Sequence, residues 1–334
     1  AGSASDKSEA DLMAPGAPSP VIRISPVTQK PQGRITHVPV EIKEEKNRLM
    51  LENSHFIVEL SMSPSLGLTR IYNKHIASDC LSDRESSRIF IVWSDDKRIE
   101  SQEFLVEDVK IERQDKRATL EISHGASGLR GELGISIDDS PEIIFSLSLK
   151  NESNETRKVR ILFPYLENLL VGKELRDNYY LAPYKGGICG NKPYEIRIAY
   201  GQHTGSMQVL SLYNPELGGG VYTWIKDKTG RMKTIILRKI EKEGKRVPVS
   251  SMLEPDMRMK EDVSLLKPGT EMSFYSYPYN LEPKETLSLP DAVLGIHPGD
   301  MKVALKSYSE WAHTWFKPQN VPAWLKDSFH YVVV

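Results

Sequence analysis

Four acidic residues stand where the sequence could place acid–base chemistry: Asp177, Glu195, Asp227 and Asp300. Hydrolysis of an acetal bond uses two carboxyl groups about 5 to 9.5 Å apart, one of them protonated near neutral pH. Each of the four has a simpler local reading as a turn or cap residue. Asp227 lies in Lys226-Asp227-Lys228-Thr229-Gly230, a β-turn phrase. Asp300 follows His297-Pro298-Gly299, where it is placed to cap a helix. The histidines (His37, His55, His75, His124, His203, His297, His313 and His330) are scattered, with none at the i, i+4 spacing of a zinc helix. Cys80 and Cys189 are too few for a metal cluster or disulfide framework and read as small buried thiols. Gly218-Gly219-Gly220 has no Lys-Ser/Thr after it, so it is a tight turn and no phosphate loop. No metal and no cofactor are expected.

The best candidate for ligand contact is the stretch 176–187, RDNYYLAPYKGG, read as a loop after a strand that ends at Phe163-Pro164. Tyr179, Tyr180 and Tyr184 offer flat faces on which a sugar ring stacks, and Asp177 and Asn178 offer hydrogen bonds to hydroxyls. The competing reading is a loop that packs on a neighbouring domain. Asn151-Glu152-Ser153 and Asn154-Glu155-Thr156 both fit the glycosylation pattern, in a stretch where Asn and Ser also make turns.

The elements that must position these residues are strands. Alternating runs begin near residue 34, with a hairpin pattern over 48–60 and strands over 68–72, 88–93, 103–113, 118–123, 131–137, 142–149 and 159–163. Further strands are expected over 207–213, 220–225, 234–238 and 271–277. In 142–149, Ile144, Ser146 and Ser148 alternate with Phe145, Leu147 and Leu149, the period of a half-buried antiparallel strand. A dozen such runs predict an all-β, two-sheet antiparallel sandwich. Between Asp300 and Phe316, apolar residues at 301, 304, 305, 308, 311, 312 and 315 share one helical face, and Pro318 stops the helix. The Tyr308, Trp311 and Trp315 stripe reads as a packing face, and Trp224 as core.

Bulk properties exclude several partners. Lys plus Arg (44) nearly cancels Asp plus Glu (45), leaving a formal charge of -1 and no basic patch for nucleic acid. No apolar run approaches the roughly 20 residues of a membrane-spanning helix. Residues 1–33 read as a linker tail, Ala-, Ser-, Gly-, Pro- and Asp-rich from Ala1 to Ser19 and followed by Pro20, Pro26 and Pro31, of the kind that follows an export signal or tethers a domain, and a secreted or periplasmic location is the expectation.

The order of several phrases resembles the N-terminal, galactose-mutarotase-like supersandwich of large glycoside-hydrolase-like proteins. Those phrases are Leu51-Glu52-Asn53 through Leu60, Gly67-Leu68 to Asn73-Lys74, RILFPYLENLLVG from Arg160 and RDNYYLAPYKGG from Arg176. GSMQVLSLYN from Gly205, GGGVYTWIKDKTGRMK from Gly218 and HPGDMKVALKSYSEWAHTWFKPQNVPAWL from His297 complete the set. The resemblance implies a sandwich over 34–296, a linker helix and connection over 297–326, and over 327–334 the first strand of a (β/α)8 barrel whose remainder lies beyond this chain. It implies that the chain is a fragment of a glycoside hydrolase, itself non-catalytic, that supports and lines a carbohydrate site completed by its own C-terminal catalytic domain. The apolar run 329–334 (Phe-His-Tyr-Val-Val-Val) suits a buried parallel strand. The alternative is a free-standing carbohydrate-binding or adhesion module. An aldose epimerase would need a His acid and a Glu base facing one pocket, and no His–Glu arrangement here resembles that family's motifs.

Overall fold

Alternation in the sequence becomes alternation in burial: along Glu142–Asn151 every second residue is buried and its neighbours are half-exposed. This strand sits within a ten-stranded sheet. Its order is Ile188–Gly190, Tyr179–Ala182, Val209–Asn214, Gly219–Ile225, Ala292–Pro298, Glu142–Asn151, Leu129–Ile137, Arg117–His124 and Leu105–Glu112, with Thr286–Ser288 beside Glu142–Asn151. The molecule is a computed structural model that describes residues 28–316 apart from 32, 34, 83–85, 185, 202–204, 246, 251–267 and 277. The expected tail over 1–27 and the expected strand over 327–334 lie outside the described residues.

An eight-stranded sheet is ordered Val249–Ser250, Tyr194–Tyr200, Lys233–Ile240, Gly269–Ser276, Arg157–Leu169, Ile91–Ser94 and Lys97–Glu100, with Tyr279–Leu281 at its side. One core joins the two sheets. Ile196, Ile235, Leu237, Met272 and Phe274 from the smaller sheet share it with Leu120, Leu133, Leu147, Leu212 and Ile296 from the larger. A five-stranded sheet over Glu41–Asp79 adds Leu49, Phe56, Val58 and Ile71 to the same core. The fold is the antiparallel supersandwich expected, although Tyr194–Tyr200 and Val249–Ser250 run parallel.

Three local expectations are corrected. The strand expected over 88–93 starts at Ile91, because Glu167 Oε1 takes the Arg88 backbone N–H at 2.9 Å and Ser101 Oγ takes that of Ile89 at 3.0 Å. The strand expected to stop at Phe163-Pro164 runs from Arg157 to Leu169, and a register shift between Leu162 and Tyr165 accommodates the proline that cannot donate. The segment 176–187, expected as a loop, holds the strand Tyr179–Ala182, paired on both sides.

The helix forms as the spacing predicts, over Met301–His313, capped by Asp300, whose side chain accepts from Lys302 N–H at 2.9 Å. It lays Ala304 and Tyr308 on the outer face of the ten-stranded sheet, against Val209, Tyr222, Trp224 and Val293. Trp224 lies 4.9 Å from Trp311 and 5.9 Å from Tyr308 between ring centroids, so the aromatic stripe is a packing face and Trp224 is core. Glu142 locks the contact: its Oε1 accepts from Tyr222 OH at 2.7 Å and from Ser307 Oγ.

Buried amides tie the five-stranded sheet to the rest. Asn53 Nδ2 donates to the carbonyls of Asp138 (2.7 Å) and Ser140 (2.8 Å), and Asn73 Nδ2 to those of Gly220 (3.0 Å) and His297 (3.1 Å). Beside them, burial pulls the imidazoles of His75 and His297 down to about 4, so both rings are neutral at physiological pH. Asn73→Ala withdraws the donor from two buried carbonyls, and urea unfolding is expected to show a loss of about 1–3 kcal/mol.

Candidate functional site: a corner cleft and a buried ion-pair face

At one corner of the ten-stranded sheet, three segments frame a cleft of about 190 Å³ lined by Gln29, Arg176, Asp177, Tyr179, Asn191, Pro215 and Glu216. The segments are the short 3₁₀ turn Leu175–Asp177, the residue after Ile188–Gly190, and the turn that follows Val209–Asn214. Asn214 shapes that turn, its Oδ1 accepting from Glu216 N–H (2.9 Å) and Leu217 N–H (3.1 Å). Gln29 N–H donates to the Pro215 carbonyl at 2.8 Å, so the expected tail already meets the sandwich at this point.

The structure divides the five residues expected to contact ligand. Asp177 and Tyr179 line the cleft. Tyr179 is half-buried, with its ring 5.9 Å from that of Tyr213. Asn178 is fully buried and its amide is taken by backbone: Oδ1 accepts from Val171 N–H at 2.7 Å, and Nδ2 donates to the carbonyls of Val171 (2.7 Å) and Glu174 (3.2 Å). Tyr180 alternates inward along its strand and is fully buried, with Gly190 against its hydroxyl. Tyr184 packs against the main core. Asn178 and Tyr180, both fully buried, and Tyr184, half-buried, thus lie around the cleft and outside its lining. Arg176, Asn191, Pro215 and Glu216 were missed as lining residues, although the turn phrase Asn214-Pro215-Glu216-Leu217-Gly218 was a legible signal for one wall.

Lys239 lies fully buried near this corner and joins two of the framing segments. Its Nζ donates to the carbonyls of Asn178 (2.8 Å) and Asn191 (2.7 Å), and burial lowers its ammonium to about 8.

The other polar cluster lies on the face of the eight-stranded sheet turned away from the core. Glu195 accepts from Arg238 Nε at 2.9 Å and from Arg197 Nε. Arg238 Nη1 also donates to Glu271 Oε2 at 2.9 Å, and Glu271 further accepts from Tyr165 OH (3.3 Å) and Ser273 Oγ (3.0 Å). Burial alone would raise the Glu195 carboxyl, but Arg238 and Arg197 overcome it and hold the group below the usual carboxylate range. A carboxyl held this way is an ionised structural partner and a poor proton donor. Asp227 behaves similarly. Its Oδ1 accepts from Thr229 N–H at 2.8 Å, the expected turn, and its Oδ2 from Lys233 Nζ at 2.5 Å, and these contacts lower its pKa against the opposing effect of burial. Asp300 is engaged as helix cap, and Asp177 lines the cleft.

No protein-family model matches the chain, and no curated protein matches it in sequence. Among solved structures it is similar to the GH36 α-galactosidase AgaB of Geobacillus stearothermophilus, with a TM-score of 0.52 and 8% identity over 82% of this chain and 43% of that one. An α-galactosidase of Lactobacillus brevis gives a TM-score of 0.52 at 13% identity, covering 82% of this chain and 42% of that one. A protein assigned as an aldose 1-epimerase, from Klebsiella pneumoniae, gives 0.50 at 8% identity, over 82% of this chain and 86% of that one. The chain spans less than half the length of the α-galactosidases it matches. At these identities the likeness shows the fold: a galactose-mutarotase-like supersandwich with a helix at its C-terminal side.

Replacing Arg238 by Met leaves Glu195 and Glu271 buried beside an apolar chain, and thermal or urea unfolding is expected to show a loss of about 3–5 kcal/mol.

Proposed function

We propose that this chain is the non-catalytic sandwich of a carbohydrate-active glycoside hydrolase, whose bond-breaking carboxylates belong to a further domain, a (β/α)8 barrel, that follows the helix. The observation that supports this most directly is the coverage: the likeness takes in 82% of this chain but only 43% of the α-galactosidase, so the same fold occupies part of a larger enzyme there. The chemistry of the acidic groups agrees. Glu195 and Asp227 are held ionised by cations, so neither offers the raised carboxyl that protonates a leaving group, and the Asp300 side chain is engaged in capping the helix.

The helix suits the link between two domains. Its aromatic stripe continues past the sandwich through Trp311, Trp315 and Phe316, with ring centroids 5.4 and 6.0 Å apart, and Phe316 is 58% exposed. A large exposed aromatic at that end suits a neighbouring domain. The substrate is a carbohydrate, contacted by this chain through Asp177 and Tyr179, and the protein works outside the cytoplasm, consistent with the linker composition of its first 33 residues. An epimerase reading gains nothing from the buried histidines, since His75 meets His55 at 3.1 Å between ring nitrogens and His297 Nδ1 meets the Pro298 carbonyl at 3.0 Å.

Expression of the complete reading frame and a screen against aryl glycosides, aryl α-galactosides included, tests the proposal. Hydrolysis by the longer protein and none by this chain alone is the expected result. A stop codon directly after Val334, or micromolar affinity of this chain alone for an oligosaccharide, would favour a free-standing binding module instead.

A further inference from the structure

We infer that the corner cleft is a subsite for one neutral pyranose ring, with Tyr179 as its platform and Asp177 and Glu216 as its hydroxyl acceptors. At about 190 Å³ the cleft is smaller than the roughly 300–1,000 Å³ of pockets for drug-sized ligands, a size that suits a single sugar ring. The apolar part of its wall is the half-buried Tyr179 ring and the buried Pro215. A sugar presents C–H groups on one face and hydroxyls around its edge, so a ring laid on Tyr179 meets polar atoms at its rim. Those atoms come in both kinds. The Asp177 and Glu216 carboxylates accept, and the Arg176 guanidinium donates. Asn191 is oriented, because its Nδ2 already donates to the Arg176 carbonyl at 3.1 Å, which leaves Oδ1 as an acceptor.

The charge balance selects among sugars. Two carboxylates face one guanidinium, and Arg176 Nε already lies 3.9 Å from Asp177 Oδ1. A uronate or another acidic sugar would bring a third carboxylate against two, whereas hydroxyls satisfy both without added charge.

The cleft is also built ahead of any ligand. Asn178 and Asn214 both donate to the Val171 carbonyl, at 2.7 and 3.0 Å, which joins the wall that carries Asp177 to the wall that carries Glu216. Lys239 joins the Asp177 wall to Asn191 through two carbonyls. Burying an ammonium in that place is costly, and a frame fixed in advance spares the bound sugar the entropy of ordering it. Lys239 is therefore a positioning residue that touches no ligand.

This inference rests on the carbohydrate reading above but not on the presence of a catalytic domain, and the two fail separately. Saturation-transfer NMR and titration of this chain with methyl α-galactopyranoside, methyl α-glucopyranoside and galacturonate test it. Millimolar binding of at least one neutral glycoside is expected, with galacturonate weaker by about tenfold, the equivalent of about 1.4 kcal/mol. Tyr179→Ala, Asp177→Asn and Glu216→Gln are each expected to weaken the glycoside by about tenfold, the size of one lost stacking or charged hydrogen-bond contact. Asn154→Gln, on the exposed turn after Glu142–Asn151, is the control and leaves binding unchanged. Should Tyr179→Ala not fold, the two carboxylate variants, at half-buried Asp177 and exposed Glu216, carry the test. Absence of transfer from both neutral glycosides, equal binding by the variants, or preference for galacturonate overturns the subsite. If the longer protein hydrolyses glycosides while this chain binds no sugar, the subsite alone falls. If the chain binds through Tyr179 while the longer protein is inert, the catalytic-domain reading falls instead.

Discussion

A β-sheet buried on both faces has to neutralise every charge it carries, and that constraint governs the eight-stranded sheet. Its strand Lys233–Ile240 is buried at all eight positions. Toward the core it presents Ile235 and Leu237, with Lys233 and Lys239 at the two ends, each ammonium held by three or two oxygens. On the opposite face Arg238 stands between Glu195 and Glu271, within hydrogen-bond distance of both. An unpaired ion in such a place would cost several kcal/mol, so the pairs are what allow charged residues there at all. The same pairing removes those carboxylates from acid–base chemistry.

The helix and the corner cleft are joined by the turn between Val209–Asn214 and Gly219–Ile225. The turn supplies Pro215 and Glu216 to the cleft, and its Gly218 carbonyl accepts from Gly299 N–H at 2.7 Å, one residue before the helix cap. Gly218 adopts φ +71, and a side chain there would run into the Gln29 carbonyl, so only glycine suits the position. The residue that closes the turn thus also fixes where the helix starts. At its other end an aromatic series runs from Trp224 on the strand Gly219–Ile225, through Trp311 on the helix, to Trp315 and Phe316 just after it. The wall of the cleft and the start of the helix are thus two sides of one piece of structure.

Much of this was legible in the residues because the signals were local. The strand Glu142–Asn151 and the helix Met301–His313 each show one period, and Gly299-Asp300 marks the helix start. Elements whose partners are distant in sequence were harder to see. Tyr194–Tyr200 does alternate, with Ile196 and Ile198 toward the core, but Glu195 and Arg197 look solvated until Arg238 is brought beside them. Ala292–Pro298 is buried nearly throughout, since the core covers one face and the helix the other, and such a run has no alternation to detect. Of the candidate site, Asp177 and Tyr179 were found through their residue types. Asn178 and Tyr180 share those residue types, but the strand pairing that turns one inward and the backbone that claims the other are decided by Val209–Asn214 and Val171. Arg176, Asn191 and Glu216 become neighbours only in three dimensions.

Whether the buried carboxylates are structural ions or reserve acids is the point on which the functional reading turns. Carboxyl-selective ¹³C NMR titration of Glu195 in this chain addresses it directly, with Glu195→Gln to assign the signal. The expected result is a carboxylate that stays ionised below the ordinary glutamate range until the sandwich itself gives way to acid. A Glu195 resonance that titrates reversibly near neutrality in the folded protein would contradict it, and would make the ion-pair face a source of protons for chemistry within the sandwich.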